Sequence, residues 1–449
     1  MNAAVQLRPS AAGALFTTLA VAAALVLLAM AVTGTGRGDA LTGGSPTLAV
    51  AMRATFLFVS VTALVGLAWL RGIPYPPIHD PTPFHNDAIA LNECAAQMLL
   101  GRADPYEEFG LLNCYGARGL GPDRTTPLRV GPFADIEIYP TEERMDAAWT
   151  AAARWSSQCL GCVISIVPPD FPFEWRLSYP ALSFVLLVPW VVLGWDTNTL
   201  YVLCLLAAMA LVVMRAPAGS RPFLITGLLA AVSLTAFTVG GSADLLYALP
   251  LVAAWLWRER RWSAVALGVA ASVKQLAWPF AVFYLIQVAT RDGWREATRR
   301  AAVAGAVFVA VNAPFVAWNA QAWIRGILTP VSEPMFPRGA GIVFLSTNGV
   351  LPLFPPTVYL ALEGIAAVTV LIVAWRSRRT SPELGVVLAM VPLFFAWRSL
   401  FSYFFLLPLF AFAALARMPA GELSAETARA SGALTVLAMP APRSPAGRS

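Results

Sequence analysis

Apolar runs long enough to cross a bilayer recur along most of this 449-residue chain, and one long polar stretch, residues 71–177, interrupts them. Crossing about 30 Å of hydrocarbon takes about 20 helical residues, and lipid offers no partner to an unpaired backbone amide. Runs of this length therefore read as helices. The composition agrees: 12% of the residues are charged, against about 25% in a soluble domain. The expected fold is an all-α polytopic membrane protein.

Spans are expected over 12–33 and 54–70, so that 1–70 forms two N-terminal transmembrane helices. After the polar stretch, apolar segments fall near 178–194, 199–214, 221–238, 243–257, 262–288, 300–318, 342–354, 356–375, 382–397 and 400–416. They make 178–417 a helix bundle and give roughly ten to thirteen transmembrane or half-spanning helices in all. The tail, 418–449, is rich in Ala, Pro, Ser and Arg and reads as disordered.

Arginine placement sets the orientation. Arg258, Arg260 and Arg261 form one cluster, Arg291, Arg295, Arg299 and Arg300 a second, and Arg376, Arg378 and Arg379 a third. All three are expected in the cytoplasm, with 71–177 on the outside. The count then fails to close. Four apolar segments separate the outer stretch from Arg258, where an odd number of crossings is required. The stretch 262–288 also carries cytoplasmic charge at both ends. Some segments must be half-helices meeting inside the protein, where irregular backbone is shielded from lipid.

The outer stretch holds more than half of the chain's 25 acidic residues and both of its histidines. Two amphipathic interfacial helices are expected within it, the first over 86–101 with Asn86 as N-cap and Gly101 as stop signal. The second runs from Thr141 to about Gln158. Together they would roof an intramembrane cavity. Four of the five cysteines, Cys94, Cys114, Cys159 and Cys162, also lie here. An even number on the outer face suits disulfides. The Cys159–Cys162 spacing also suits half a zinc site or a redox pair, but no second such pair follows, and no metal site is expected.

Three places carry candidate chemistry. His79-Asp80 and His85-Asn86-Asp87 set imidazole beside carboxylate, a base with its orienting partner; the plainer reading of Asp87 is a first-turn acid complementing its helix dipole. Lys274, the single lysine, stands in an apolar run where insertion costs about 2.5–3.5 kcal/mol, so it either pairs with an anion or snorkels to the cytoplasmic face. Gln275 beside it and Pro279 suit a helix break. Arg398, with Tyr403 a turn later, lies between two apolar runs and can grip a phosphate bidentately or serve as an interfacial anchor. Arg338 is a weaker candidate of the same kind. Asp244 reads more simply as an N-terminal helix acid. No basic, aromatic-interleaved helix suggests nucleic-acid binding, and the sequence has no phosphate-cradling Gly-rich motif.

Four stretches in order, "LLGRADPY" (99–106) behind Asp87, "YPALSFVLLVPW" (179–190), "GSADLLYALPLVAAWLWRERRW" (241–262) and "ALGVAASVKQLAWP" (266–279), resemble the GT-C superfamily of membrane glycosyltransferases. The resemblance covers roughly residues 84 to 290 and is closest to glycosyltransferase family 87, the polyprenyl-phosphate-mannose-dependent mannosyltransferases and their bacterial relatives. It implies a GT-C-like bundle in a bacterial plasma membrane. It further implies inverting transfer of a hexose, mannose by analogy, from a polyprenyl-phosphate sugar to an extracytoplasmic lipid-linked, glycan or protein acceptor. Asp87, with Asp80 as substitute, would be the base, and Arg398 or Lys274 would stabilise the departing phosphate without a cofactor. His85, Asn86, Gln275, Tyr403 and Arg338 would complete the substrate contacts. The chain departs from the pattern in having two spans before the loop, Ala181 for a second proline, Ser-Ala-Asp at 242–244, and an insert over 107–170. Two other readings stand beside it: a polytopic transporter or lipid flippase, and a non-catalytic envelope-assembly subunit.

Overall fold

A computed structural model describes residues 87–107, 177–216, 221–231, 234, 242–332, 338–347 and 349–417. The expected N-terminal spans, the second amphipathic helix and the tail lie outside these residues. The described chain is helical: α1 (Asp87–Leu100), α2 (Leu182–Val185), α3 (Val188–Leu193), α4 (Asn198–Arg215), α5 (Arg221–Ala230), α6 (Asp244–Leu256), α7 (Ser263–Val273), α8 (Trp278–Asp292), α9 (Trp294–Ser332), α10 (Ile342–Thr347), α11 (Pro356–Ser377), α12 (Gly385–Leu388), α13 (Phe401–Phe404) and α14 (Leu407–Arg417). Among the described residues Asn198–Arg215, Trp294–Pro330 and Pro356–Ser377 are long and apolar enough to cross a membrane. Their exposed side chains, such as Leu203, Leu206, Val309, Leu360, Ile365 and Val368, form the apolar surface that lipid requires.

The three arginine clusters meet at one end of the bundle. Glu383 is buried there and takes both guanidinium nitrogens of Arg258, one at 3.0 Å and the other in closer contact. It also accepts from Trp255 Nε1 at 2.8 Å and from Arg417 Nε at 3.3 Å. Glu259 pairs with Arg417 at 2.8 Å and Arg215 at 3.3 Å, and its carbonyl accepts from Arg291 at 3.0 Å. Arg300 donates to the Arg258 carbonyl and to the Tyr284 hydroxyl. The Trp294 ring stacks on Trp375, centroids 5.9 Å apart, which brings the third cluster to the same end.

That shared end closes the crossing count. α2 and α3 pack against α1. Before them the Ser178 carbonyl is bonded by Gln275, and after them Thr197 donates to Glu93 of α1. Both junctions are remote from the arginine-rich end, so this segment does not cross. α4 then runs to Arg215, α5 leaves from Arg221, which bonds the carbonyls of Ala216 and Met214, and α6 returns to Arg258. With 178–194 held at one end, three of the four apolar segments expected before Arg258 are left as candidate crossings, the odd number that the orientation requires.

The doubly charged 262–288 stretch is a hairpin. α7 starts at the arginine-rich end, where Ser263 Oγ meets Tyr284 Oη at 2.6 Å. It ends at Lys274, whose extended backbone (φ −154°, ψ 142°) breaks the helix, and α8 runs back to Arg291. A second hairpin leaves at Glu383, turns at Arg398 and returns through α14 to Arg417. α9 is kinked at Asn319 (φ −154°, ψ 94°). Asn312, before the kink, accepts from Trp323 Nε1 after it at 3.2 Å, so the last turns fold back across the bundle.

α1 begins one residue inside its expected range and stops where Gly101 predicts. It is sunk into the protein, with every residue from Ile89 to Ala96 buried. A surface-lying helix would leave its polar stripe wet. Here the Asn92 amide nitrogen donates to the Ala88 carbonyl at 2.8 Å and Glu93 is met by Thr197, so the stripe is buried and partly satisfied inside the protein. Cys94 is disulfide-bonded, in line with the expected disulfides, and Cys204 is free.

Candidate active site

Lys274 sits at the tip of the first hairpin, 9% exposed, with its ammonium 2.5 Å from Asp244 Oδ1 and 5.0 Å from the centre of the Tyr179 ring. Of the two expectations for this lysine, the structure has the pairing and not the snorkelling. Asp244 is the first residue of α6 and 3% exposed. With 13 residues in α6 and 11 in α7, the pair lies about 16–20 Å from the arginine-rich end at 1.5 Å per residue. α4, with 18 residues, reaches about 27 Å, so the pair is recessed below the end where α1 lies.

Residues 177–181 are held on several sides at this depth. Gln275 Nε2 donates to the Ser178 carbonyl at 2.5 Å and to the Ile327 carbonyl at 3.2 Å. Tyr106, from the turn after α1, donates its hydroxyl to the Tyr179 carbonyl at 2.8 Å. The Ala181 amide donates to Asn312 Oδ1 at 3.0 Å. The Tyr106 ring packs edge-on against Phe184 and Phe315, each 6.0 Å away. Gly326 is required here, since a Cβ would stand 2.6 Å from the Leu177 carbonyl.

Further polar groups are buried near the pair and in the turn after α1. Tyr201 and Tyr247 are both fully buried, and neither hydroxyl has a hydrogen-bond partner among the described residues. Tyr201 is in electrostatic reach of Glu93 and Asp244, and Tyr247 of Asp244 and Tyr403. Asp104, in the turn after α1, is 2% exposed. One carboxylate oxygen accepts from the Tyr106 amide at 3.0 Å and the other has no hydrogen-bond partner among the described residues. Burial raises its carboxyl above the ordinary range, and the Tyr106 amide only partly opposes this.

Arg398 is at the tip of the second hairpin. Its backbone lies in a two-residue strand, β2 (Arg398–Ser399), which pairs in parallel with β1 (Arg338–Gly339), so that Arg338 stands opposite Arg398. Non-helical backbone at such a place has to be shielded by protein, and it is: Ser399 is fully buried and the Ala340 amide donates to its carbonyl at 2.6 Å. Gly339 has φ 146°, and a Cβ there would fall 1.9 Å from Ser399 O. The Arg398 side chain is half-buried, and no carboxylate pairs with it among the described residues.

The structure thus brings Lys274, Gln275, Tyr403 and Arg398 to the end of the bundle that α1 occupies. Asp87 is the first residue of α1, and Arg338 is placed by its backbone register. Asp80, His85 and Asn86 lie outside the described residues. Among the described residues no three metal-ligating side chains cluster. Sequence reasoning missed Asp244, Glu93 and Asp104 as buried acids. For Asp244 a signal existed, since it is the one acid in 221–257 and the chain's one lysine stands in the next apolar segment.

An all-helical bundle with a buried ion pair at one hairpin tip and a half-buried arginine at the other has the build of a polytopic membrane protein with an internal polar site. Residues 177–407, just over half of the chain, match the model of glycosyltransferase family 87, and the chain belongs to that family. It is a membrane glycosyltransferase. The match begins after the outer stretch, so Asp87 and "LLGRADPY" lie outside it. It extends well past residue 290 and takes in Arg338, Arg398 and Tyr403. No curated protein and no solved structure matches the chain.

Proposed function

We propose that the protein transfers a hexose, mannose by family analogy, from a polyprenyl-phosphate sugar to a lipid-linked, glycan or protein acceptor on the outer face of a bacterial plasma membrane. By the positive-inside rule the arginine-rich end is cytoplasmic, and α1 with both hairpin tips serves the opposite face. A loop carboxylate, Asp87 or Asp80, takes the proton of the acceptor hydroxyl. The acceptor oxygen bonds to the anomeric carbon as the bond from that carbon to the phosphate oxygen breaks, with inversion. Polyprenyl phosphate leaves carrying one more negative charge, which a fixed cation stabilises. His85, Asn86 and Tyr403 are the proposed hydroxyl and phosphate contacts around it.

The observation that carries this reading is the inequality of the two cations. Lys274 is already matched by Asp244, whereas Arg398 stands half-buried without a carboxylate partner among the described residues and opposite a second arginine. A planar guanidinium is suited to two oxygens of one phosphate. Arg398, helped by Arg338, is therefore the proposed phosphate ligand.

The test is transfer by purified protein in liposomes, supplied with polyprenyl-phosphate mannose or glucose and candidate acceptors, beside Asp87→Asn and Asp80→Asn. Loss of the base lowers kcat by about 10²–10⁴. Undiminished transfer in both variants overturns the base assignment, and substrate flux without transfer favours a transporter.

A further inference from the structure

We infer that Asp244 and Lys274 are a positioning pair for the transfer reaction, which sets the outer face of the site through Tyr179 and gives no charge to the substrate. This rests on the reading above, in which Arg398 meets the phosphate.

Three observations point the same way. The Lys274 ammonium is paired with the Asp244 carboxylate at 2.5 Å and capped by the Tyr179 ring at 5.0 Å, and both residues are buried. To serve a phosphate, Lys274 would have to leave a bare carboxylate behind in a dry interior, which is strongly unfavourable. Next, the pair is joined to a clamp. Gln275, the adjacent residue, ties the Ser178 carbonyl to that of Ile327, and Tyr106 docks on the Tyr179 carbonyl at 2.8 Å. The ion pair, the break in the hairpin and the start of α6 thus fix a segment on which the turn after α1 rests. Finally, α1 begins at Asp87 and is tied to 177–181 through Tyr106 after its last turn and to Thr197 through Glu93, so a shift of 177–181 is passed along α1 toward the proposed base. A misplacement of about 1 Å between reacting groups is enough to lower a rate about a hundredfold.

A double-mutant cycle separates positioning from direct phosphate contact. Asp244→Asn, Lys274→Met and the double variant are compared in the liposome assay for kcat, donor KM and inhibition by polyprenyl phosphate. Each single variant strands a buried charge and lowers kcat by about tenfold to a hundredfold. The double variant removes both charges and recovers to within about fivefold of the parent, with donor KM and product inhibition unchanged. Asp244→Glu, which keeps the pair, retains most activity, whereas a merely structural pair would move the melting temperature and not kcat. If the double variant stays as inactive as Lys274→Met and polyprenyl phosphate inhibits it less, Lys274 serves the phosphate and the inference fails. Hydrogen exchange over Asp104–Glu107 and Leu177–Ala181 reads the clamp without a donor: it speeds up in the single variants and is restored in the double. Unchanged exchange in the singles overturns the inference even where no donor supports turnover.

Discussion

Replacing Glu383 by glutamine is expected to destabilise the protein by about 3–5 kcal/mol, the scale of breaking a buried ion pair by removing one partner. The structure supplies the parts. Glu383 is 6% exposed and receives two hydrogen bonds from Arg258, one from Trp255 and one from Arg417. Glutamine keeps one acceptor oxygen and turns an NH2 toward donors, so about two charge-assisted bonds, each worth about 1.5–3 kcal/mol, are lost. Among the described residues Arg258, 7% exposed, has only the Trp255 carbonyl at 3.4 Å as another acceptor, whereas Arg417 keeps Glu259 at 2.8 Å. The two routes to the magnitude agree. Thermal inactivation of the detergent-solubilised protein should shift sharply down, while kcat and KM of the surviving fraction stay within about threefold, since Glu383 is at the end of the bundle remote from Arg398. Arg258→Met with Glu383→Leu should restore most of the stability, because apolar replacement of a whole buried pair is close to neutral. A single variant within about 1 kcal/mol of the parent, or a double variant less stable than either single, would refute the assignment.

Three further outcomes are expected. Arg398→Lys keeps the charge but loses the planar fork, so donor KM should rise and kcat fall by about tenfold or more, while Arg398→Gln is worse; equal kinetics in all three would remove Arg398 from the site. Gly339→Ala drives a Cβ to 1.9 Å from the Ser399 carbonyl at a φ only glycine tolerates, so the β1–β2 pairing should be lost together with activity and yield of folded protein. Asp104 carries a raised carboxyl, and a group of that kind contributes stability at low pH that is lost as pH rises through its folded value. The melting temperature of Asp104→Asn relative to the parent should therefore climb as pH rises above the ordinary carboxylate value of about 3.9, and a flat or falling difference would contradict the burial of a charged carboxylate there.

Much of the bundle is legible in the sequence because lipid enforces a simple rule: long apolar runs become helices and arginines collect at one end. The position of α1 was legible too, from Asn86, Asp87 and Gly101, since helix caps are local chemistry. What was not legible is where a segment turns back. Residues 178–194 are as apolar as a crossing helix, and only contacts distant in sequence, Gln275 with Ser178 and Thr197 with Glu93, show that they stay at one end. The same holds for the candidate site. Lys274 drew attention because a lone lysine in an apolar run needs a reason, but its partner Asp244 looked like an ordinary helix acid. Pairing between elements thirty residues apart leaves no periodicity to read. Glu93 was hidden for a related reason, as its helix looked amphipathic until its polar stripe proved to be packed inside.

The two hairpins have a consequence for how such a chain can change. Because 263–292 leaves the arginine-rich end and comes back to it, it does not alter which side α9 starts from, and 382–417 likewise ends where it begins. Their tips can gain, lose or exchange residues without inverting anything downstream. A bundle built in this way keeps its insertion plan fixed by the roots while the hairpin tips, at Lys274 and Arg398, are free to diverge from one glycosyltransferase to the next.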